Sequence, residues 1–371
     1  MKVKLSDAFE LQMGKTPPRN DRECWGEGHK WISISDIGST GKYIDATKEE
    51  ITDAGVSKSG IKVVPKGTVI MSFKLSIGKT AITAEDMYTN EAIMAFINKG
   101  RYEINTDYLY HMCKGIDWLA GTNKAVLGLT LNKATMSEKE IVIPSMAEQL
   151  HVVSVLDKMD ELIALRKEQL AKLDQLVKSR FIELFGDPVD NPKGWKKDKA
   201  ENYIDLLSGF PFDSSKYTES GVNICGGLII MPQRIEWGDC KHWCSIDGYE
   251  EYALNENDIV IALDRPWISE GFKIAMVEAE HLPALLIQRT ARIRAIGLNQ
   301  FYLMYCFLLG GFDKHCNVTG SLVPHISAKD IRSFAIMLPP IDLQEQFAAF
   351  VEQTDKSKLA IQQSLDKLEL L

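Results

Sequence analysis

The sequence predicts an α+β protein. Two mixed α/β domains are separated by long antiparallel coiled-coil-like helices, the product of an internal duplication with a 195-residue offset. The prediction rests on a self-match, a pair of prolines and a spacing of apolar residues. Sliding the chain along itself by 195 residues superposes Pro144 on Pro339, Gln149 on Gln344, Asp160 on Asp355, Leu170 on Leu365, Lys172 on Lys367, Leu173 on Leu368 and Leu176 on Leu371, 7 identities in 33 ungapped residues. The same offset brings Ile141 onto Ile336, Leu11 onto Leu206 and Gly14 onto Gly209. One offset at both ends of a unit means two copies of it. The predicted boundaries are a first globular domain over 1–143, a helical spacer over 144–186, a second globular domain over 187–338 and a shorter helical spacer over 339–371.

The elements follow in order. Val63–Ser72 and Leu254–Leu263 each read as a turn leading into a short apolar strand. Thr290, Arg292 and Arg294 alternate with Ala291, Ile293 and Ala295, the period of a half-buried strand. Tyr108–Lys114 and Phe301–Leu309 read as short buried helices in equivalent places. Pro144 and Pro339 each open a polar turn before a long helix. Val152, Leu156, Met159, Ile163, Leu170, Leu173, Val177 and Leu184 then follow 3–4 spacing, with Arg166 as an interruption, and Gly186-Asp-Pro ends the run. In the second copy Phe347, Val351, Ile361, Leu365 and Leu368 hold the seam, which Thr354 and Lys358 weaken. Each stripe needs a partner, and pairing one helix with the other antiparallel is the most economical solution.

Composition narrows the function. Lys and Arg number 43 against 51 Asp and Glu, a net charge of −8, which excludes a uniformly basic nucleic-acid binder but not a local basic surface. Residues 1–145 carry 19 basic and 18 acidic side chains, whereas 187–340 carry 15 and 20, so the acidic excess lies towards the second copy. The seven cysteines follow no secretory leader, and reduced thiols in a cytoplasmic chain are the expectation. The longest apolar stretch, Phe301–Phe312, is shorter than the ~20 residues of a membrane span.

A complete catalytic constellation is not found. The phosphate-cradling Gly-x-x-x-x-Gly-Lys-Ser/Thr loop is missing, as are Gly-x-Gly-x-x-Gly, a Gly-x-Ser-x-Gly elbow, His-Glu-x-x-His, and the Asn/Asp-Pro-Pro-aromatic motif of amino-methylating enzymes. Cys240-Lys-His-Trp-Cys244 has no second spaced pair, so reduced thiols are preferred to zinc. Basic residues do cluster among Gly, Asn, Trp and Ser. Lys15, Arg19, Arg22 and Lys30 lie near the first turn, Lys74 and Lys79 bracket Leu-Ser-Ile-Gly, and Arg289, Arg292 and Arg294 fall together in the second copy. Such groups suit phosphate contact and base-edge reading; a solvated charged surface is the plain alternative. The candidate DNA contacts are Lys15, Arg19, Lys74, Lys79, Lys124, Arg265, Lys273, Arg289 and His325.

Together these features resemble the specificity (DNA-recognition) subunit of Type I restriction–modification systems, over essentially the whole chain. The junctions Ile143-Pro-Ser-Met-Ala-Glu-Gln149 and Leu338-Pro-Pro-Ile-Asp-Leu-Gln344 are similar to the family's Pro-Pro-x-x-x-Gln entry to a long helix. Met71–Lys79, Asn90-Glu-Ala, Ile287-Gln-Arg and Gly320–Ser327 resemble family phrases in the family's order. One departure is the second helical stretch, which stops at Leu371 where the family usually has a few more turns.

The resemblance implies two target-recognition domains, each reading half of a split, asymmetric site in double-stranded DNA, with the helices as a ruler for the unread spacer. It implies a non-catalytic chain that binds no cofactor itself and docks two methyltransferase (modification) subunits and the restriction/translocase subunits, with no membrane association. S-adenosylmethionine, ATP and Mg would then belong to those partners. Two other readings stay open: the recognition half of a fused restriction–methyltransferase enzyme, and a duplicated protein-interaction scaffold that does not bind DNA.

Overall fold

The structure, a computed structural model, describes residues 1–38, 41–120, 131–316 and 325–370. The chain packs as two units, Met1–Leu162 and Ile163–Leu371, so the division falls inside the central helix, Met146–Phe185.

In the first unit a five-stranded sheet runs, in spatial order, Phe9–Met13, Ile93–Asn98, Val69–Ser72, Thr80–Thr83 and Tyr43–Ile44. Its central strands are apolar on both faces because both are covered. Val69, Met71, Ile82, Met94 and Phe96 pack with Phe9, Leu109 and Trp118. Ile70, Ala81, Ile93 and Ala95 pack instead with Ile32, Ile44, Val64 and Met87. A smaller sheet of Glu49–Ile51, Trp25–Ile32 and Tyr88–Thr89 completes the unit.

The second unit repeats this plan. Ile204–Ser208, Thr290–Ala295, Ile259–Ala262 and Ile274–Met276 lie in the same order as the first four strands above. Lys241–Trp243, Val222–Cys225 and Ala284–Leu286 form the matching small sheet, with one antiparallel and one parallel pairing in each copy. The 195-residue offset survives in the register itself: Val3 pairs with Ile141, and Asp198 with Ile336. Gly14 and Gly209 show why glycine occurs at both places. A Cβ at either would lie 2.0 Å from Thr89 O or 1.9 Å from Ile287 O, inside the neighbouring backbone.

The strand Thr290–Ala295 departs from the half-buried expectation. Arg292 is buried, because a second apolar cluster that includes Val260, Ala275 and Leu286 covers the face expected to meet solvent. Its guanidinium is paired with Asp205, and Arg294 is held by both oxygens of Asp258 at 2.6 and 2.8 Å.

The junction before each long helix is locked by a buried glutamine. Gln149 Oε1 accepts the Asn105 N–H at 2.9 Å, and its Nε2 donates to Glu103 O and Pro144 O. Gln344 Oε1 accepts the Asn299 N–H at 3.0 Å, and its Nε2 donates to Pro339 O at 2.9 Å. Asn105 and Asn299 in turn cap the short helices Thr106–Gly115 and Gln300–Leu309. One residue type thus ties helix entry and short-helix cap together.

Within the first unit the opening turns of the central helix are held by charge. Asp157 receives Lys42 at 2.8 Å and His111 at 2.7 Å, and Asp160 receives Lys114 at 3.2 Å. Burial pushes the Asp157 carboxyl up, but the hydrogen bonds from Lys42 and His111 outweigh it and hold it below the ordinary carboxylate range.

Within the second unit the rest of that helix pairs antiparallel with Ile341–Glu369, as its stripe predicts. Phe181 meets Phe347 with ring centroids 5.4 Å apart, Asp174 bonds Lys358 at 2.7 Å, and Lys167 bonds Glu369 at 2.8 Å, so one chain's numbers fall as the other's rise. The two weak seam positions are accommodated. Thr354 returns its hydroxyl to Phe350 O, and Lys358 spends its charge on Asp174 and Asp355. Phe301–Phe312 is mainly the buried helix expected, and no helix among the described residues is long and apolar enough to cross a membrane.

Removing a buried amide strands the groups it satisfied. Gln344→Ala is expected to destabilise the second unit by about 2–4 kcal/mol, whereas the exposed Gln353→Ala stays within about 0.5 kcal/mol of wild type. Urea unfolding of the full chain measures both.

Candidate nucleic-acid interface

The candidate residues gather mainly at one end of each main sheet. Strand Val69–Ser72 runs out into Lys74 and Leu75, and strand Ile259–Ala262 into Asp264 and Arg265. Leu75 and Arg265 each stand three residues beyond their strand, and both are non-glycine residues in the left-handed region, with φ of 62° and 45°. Such backbone is uncommon outside glycine. Leu75 is 94% exposed, an apolar tip between two lysines. Lys79 and Lys273 each stand immediately before the returning strand.

The equivalent lysines differ in setting. Lys79 is exposed and lines a cavity with Ser35, Lys42, Tyr110 and Lys114. Lys273 is covered and donates to Gly227 O. Burial, and then the neighbouring Arg265, pull its ammonium below the ordinary lysine range. Lys74 lies with its ammonium 5.3 Å from the Phe73 ring.

The two earliest candidates are engaged within the fold. Lys15 donates to Ser59 O and Gly60 O, closing the end of the helix Asp53–Ser59. Arg19 forms a two-pronged bond with Glu49 and stacks 4.0 Å from the Trp25 ring. Lys124 lies outside the described residues.

Arg289 and His325 come together on a residue that sequence reasoning missed. Asp264 accepts Arg289 at 3.0 Å on one oxygen and His325 at 2.6 Å on the other. The only signal for Asp264 was its place after the strand, where the first copy has Lys74. Cys240 and Cys244 do not converge with other ligands; Cys240 Sγ lies 3.4 Å from Asn223 Oδ1. Among the described residues the ligand atoms that do converge belong to Glu278, Glu280 and His281, where His281 pairs with both carboxylates.

Comparison with known proteins agrees with this duplicated plan. The family model of the type I restriction modification DNA specificity domain matches residues 1–175 and 245–370. The chain belongs to this family. The specificity-domain chain is similar to the type I restriction enzyme MjaIX specificity subunit of Methanocaldococcus jannaschii, at 26% identity over 94% of this chain and 85% of that protein. It shares its fold with a chain from a structure of type I R-M system assembly and conformational transition (TM-score 0.60, 19% identity, covering 100% of this chain and 94% of that one). It also shares it with the type I restriction-modification S subunit from M. genitalium (TM-score 0.54, 14% identity, covering 100% and 93%).

The Lys273 setting carries a signed consequence. A lysine whose folded pKa is depressed costs stability while charged. As pH rises through that lowered value, the amine is neutral in the fold but still charged in the unfolded chain, so stability rises with pH. Lys273→Met, which has no titrating ammonium here, is therefore expected to lose this rise, so that the stability difference shifts towards wild type as pH approaches 10 from 7. Calorimetric scans across that range check both the sign and the trend.

Proposed function

We propose that this chain is the non-catalytic subunit that recognises a bipartite, asymmetric site in double-stranded DNA, one half-site per unit, and scaffolds methyltransferase and restriction subunits. The observation that carries this reading is one scaffold built twice with different side chains at matching loop positions. Lys74 and Leu75 stand where the second copy has Asp264 and Arg265. Equal scaffolds with unequal readers suit a site of two unlike halves. The specificity-subunit relatives support the same assignment.

In this reading S-adenosylmethionine, ATP and Mg belong to the partner subunits, and the assembly works in the cytoplasm. Scaffolding is supported by the first unit's part of the central helix, where Val155 and Leu162 stand one heptad apart and each is about half exposed. An apolar stripe on a charged helix is the form a partner helix seats on.

Two measurements test the proposal. Duplex binding by the full chain should weaken steeply with salt as counterions are released. Lys79→Ala should flatten the plot of log affinity against log salt by about one unit. Binding that ignores salt would favour a protein-only scaffold instead. Leu162→Glu should leave thermal unfolding of the chain unchanged while abolishing co-purification with a co-expressed methyltransferase subunit; retained assembly would remove the stripe from the docking surface.

A further inference from the structure

The surface around Asp264 differs from an ordinary solvated salt bridge in three respects. Both carboxylate oxygens are occupied, one by Arg289 and one by His325, yet the Arg289 side chain remains 74% exposed. Arg289 has a φ of 65° and the adjacent loop residue Arg265 a φ of 45°, both in the region that glycine would enter without strain. Non-glycine residues in such backbone cluster at functional positions. The Arg289 backbone is held by the sheet: its carbonyl accepts the Leu263 N–H at 2.9 Å.

The arginines of the strand that follows, Thr290–Ala295, behave differently. Arg292 is buried against Asp205, and Arg294 is gripped by Asp258. Their donors serve the fold. Arg289 is paired on one side only: NH1 lies 3.0 Å from Asp264 as an ion pair, and its guanidinium makes no hydrogen bond found among the described residues.

The carboxylate decides what such an arginine reads. A phosphate anchor needs net positive charge, and a carboxylate 3.0 Å away cancels much of it. A base reader needs a guanidinium directed towards the base, and a carboxylate beside NH1 biases that direction. A carboxylate at a groove floor also has a partner of its own, the amino group of cytosine.

We propose that Arg289, oriented by Asp264 as a positioning residue, reads a guanine in the major groove of the half-site bound by the second unit. The proposal rests on the DNA-recognition reading above.

The test is selection from a randomised duplex pool by the full chain and its variants, with binding then measured across salt concentrations. Arg289→Lys keeps the charge and loses the two-pronged fork, and Asp264→Ala frees the guanidinium. The expected result is that both variants lose about 10- to 100-fold of the preference for guanine at one position. The other half-site keeps its enrichment, and the salt slope of Arg289→Lys and the thermal unfolding of both variants stay at wild-type values. Undiminished preference in Arg289→Lys overturns the proposal. So does an Arg289→Lys variant that binds all sequences uniformly more weakly with its guanine preference intact, the mark of a phosphate contact. If Asp264→Ala fails to fold, Arg289→Lys alone decides. The wild-type selection is read first: a chain that enriches no sequence overturns DNA recognition itself, whereas a wild type that enriches a split site beside an indifferent Arg289→Lys overturns only this assignment.

Discussion

The buried glutamine at each helix junction is the constraint on which the rest depends. An amide side chain away from water must satisfy its oxygen and its nitrogen, and doing so fixes three pieces of chain at once. Gln149 joins the Pro144 turn to the Asn105 cap, and Gln344 joins the Pro339 turn to the Asn299 cap. Tyr108 and Tyr302 add the same bond in each copy, donating to Val142 O and Met337 O at 3.0 Å. The first turn of each long helix is therefore seated on its own domain by hydrogen bonds as well as by apolar packing.

Much of this was legible because it was written in local grammar. The self-match at 195 residues located both copies, and periodicity located both long helices and put Val177 and Phe347 on their buried faces. Local grammar failed where distant residues decide. Arg292 alternates as an outward residue should, but its strand is covered on both faces, and only the fold reveals the cluster around Val260 and Leu286. Lys358 looks like a flaw in the seam until Asp174, 184 residues away, is set against it. Arg19 and Lys15 fall in a basic cluster by composition, but Glu49 and the carbonyls of Ser59 and Gly60 engage them. Basic residues in sequence are therefore a poor census of a basic surface.

The same reasoning explains why Asp264 escaped notice. Its partners lie 25 and 61 residues further along, at Arg289 and His325, and no periodic pattern links them. What links them is the sheet: adjacent strands end together, so the residues just past their ends meet. Site residues of this kind are encoded by strand order, which a single sequence does not display. The exposed Leu75 is a related case. Its place inside the family-like phrase Met71–Lys79 was visible, but not its left-handed backbone or its solvent-facing tip.

A scaffold that carries changeable tips must keep their cost out of the sheet, and both loops are built to do so. In the first unit the loop is closed at its base: Gly78 N donates to Ser72 O at 2.9 Å and Lys79 N to Ser72 Oγ at 3.1 Å. In the second, Ala262 N donates to Lys273 O at 3.1 Å and Lys273 N to Pro266 O at 2.7 Å. The residues at the tips, Leu75 and Arg265, lie beyond these closures. Strain at their positive φ is borne by a few residues, because the hydrogen bonds at the base isolate it from the buried strands. A side chain at the tip can then change from apolar to cationic without repacking the core. That separation lets one architecture, locked at its glutamine junctions, hold unlike surfaces at the same place in its two copies.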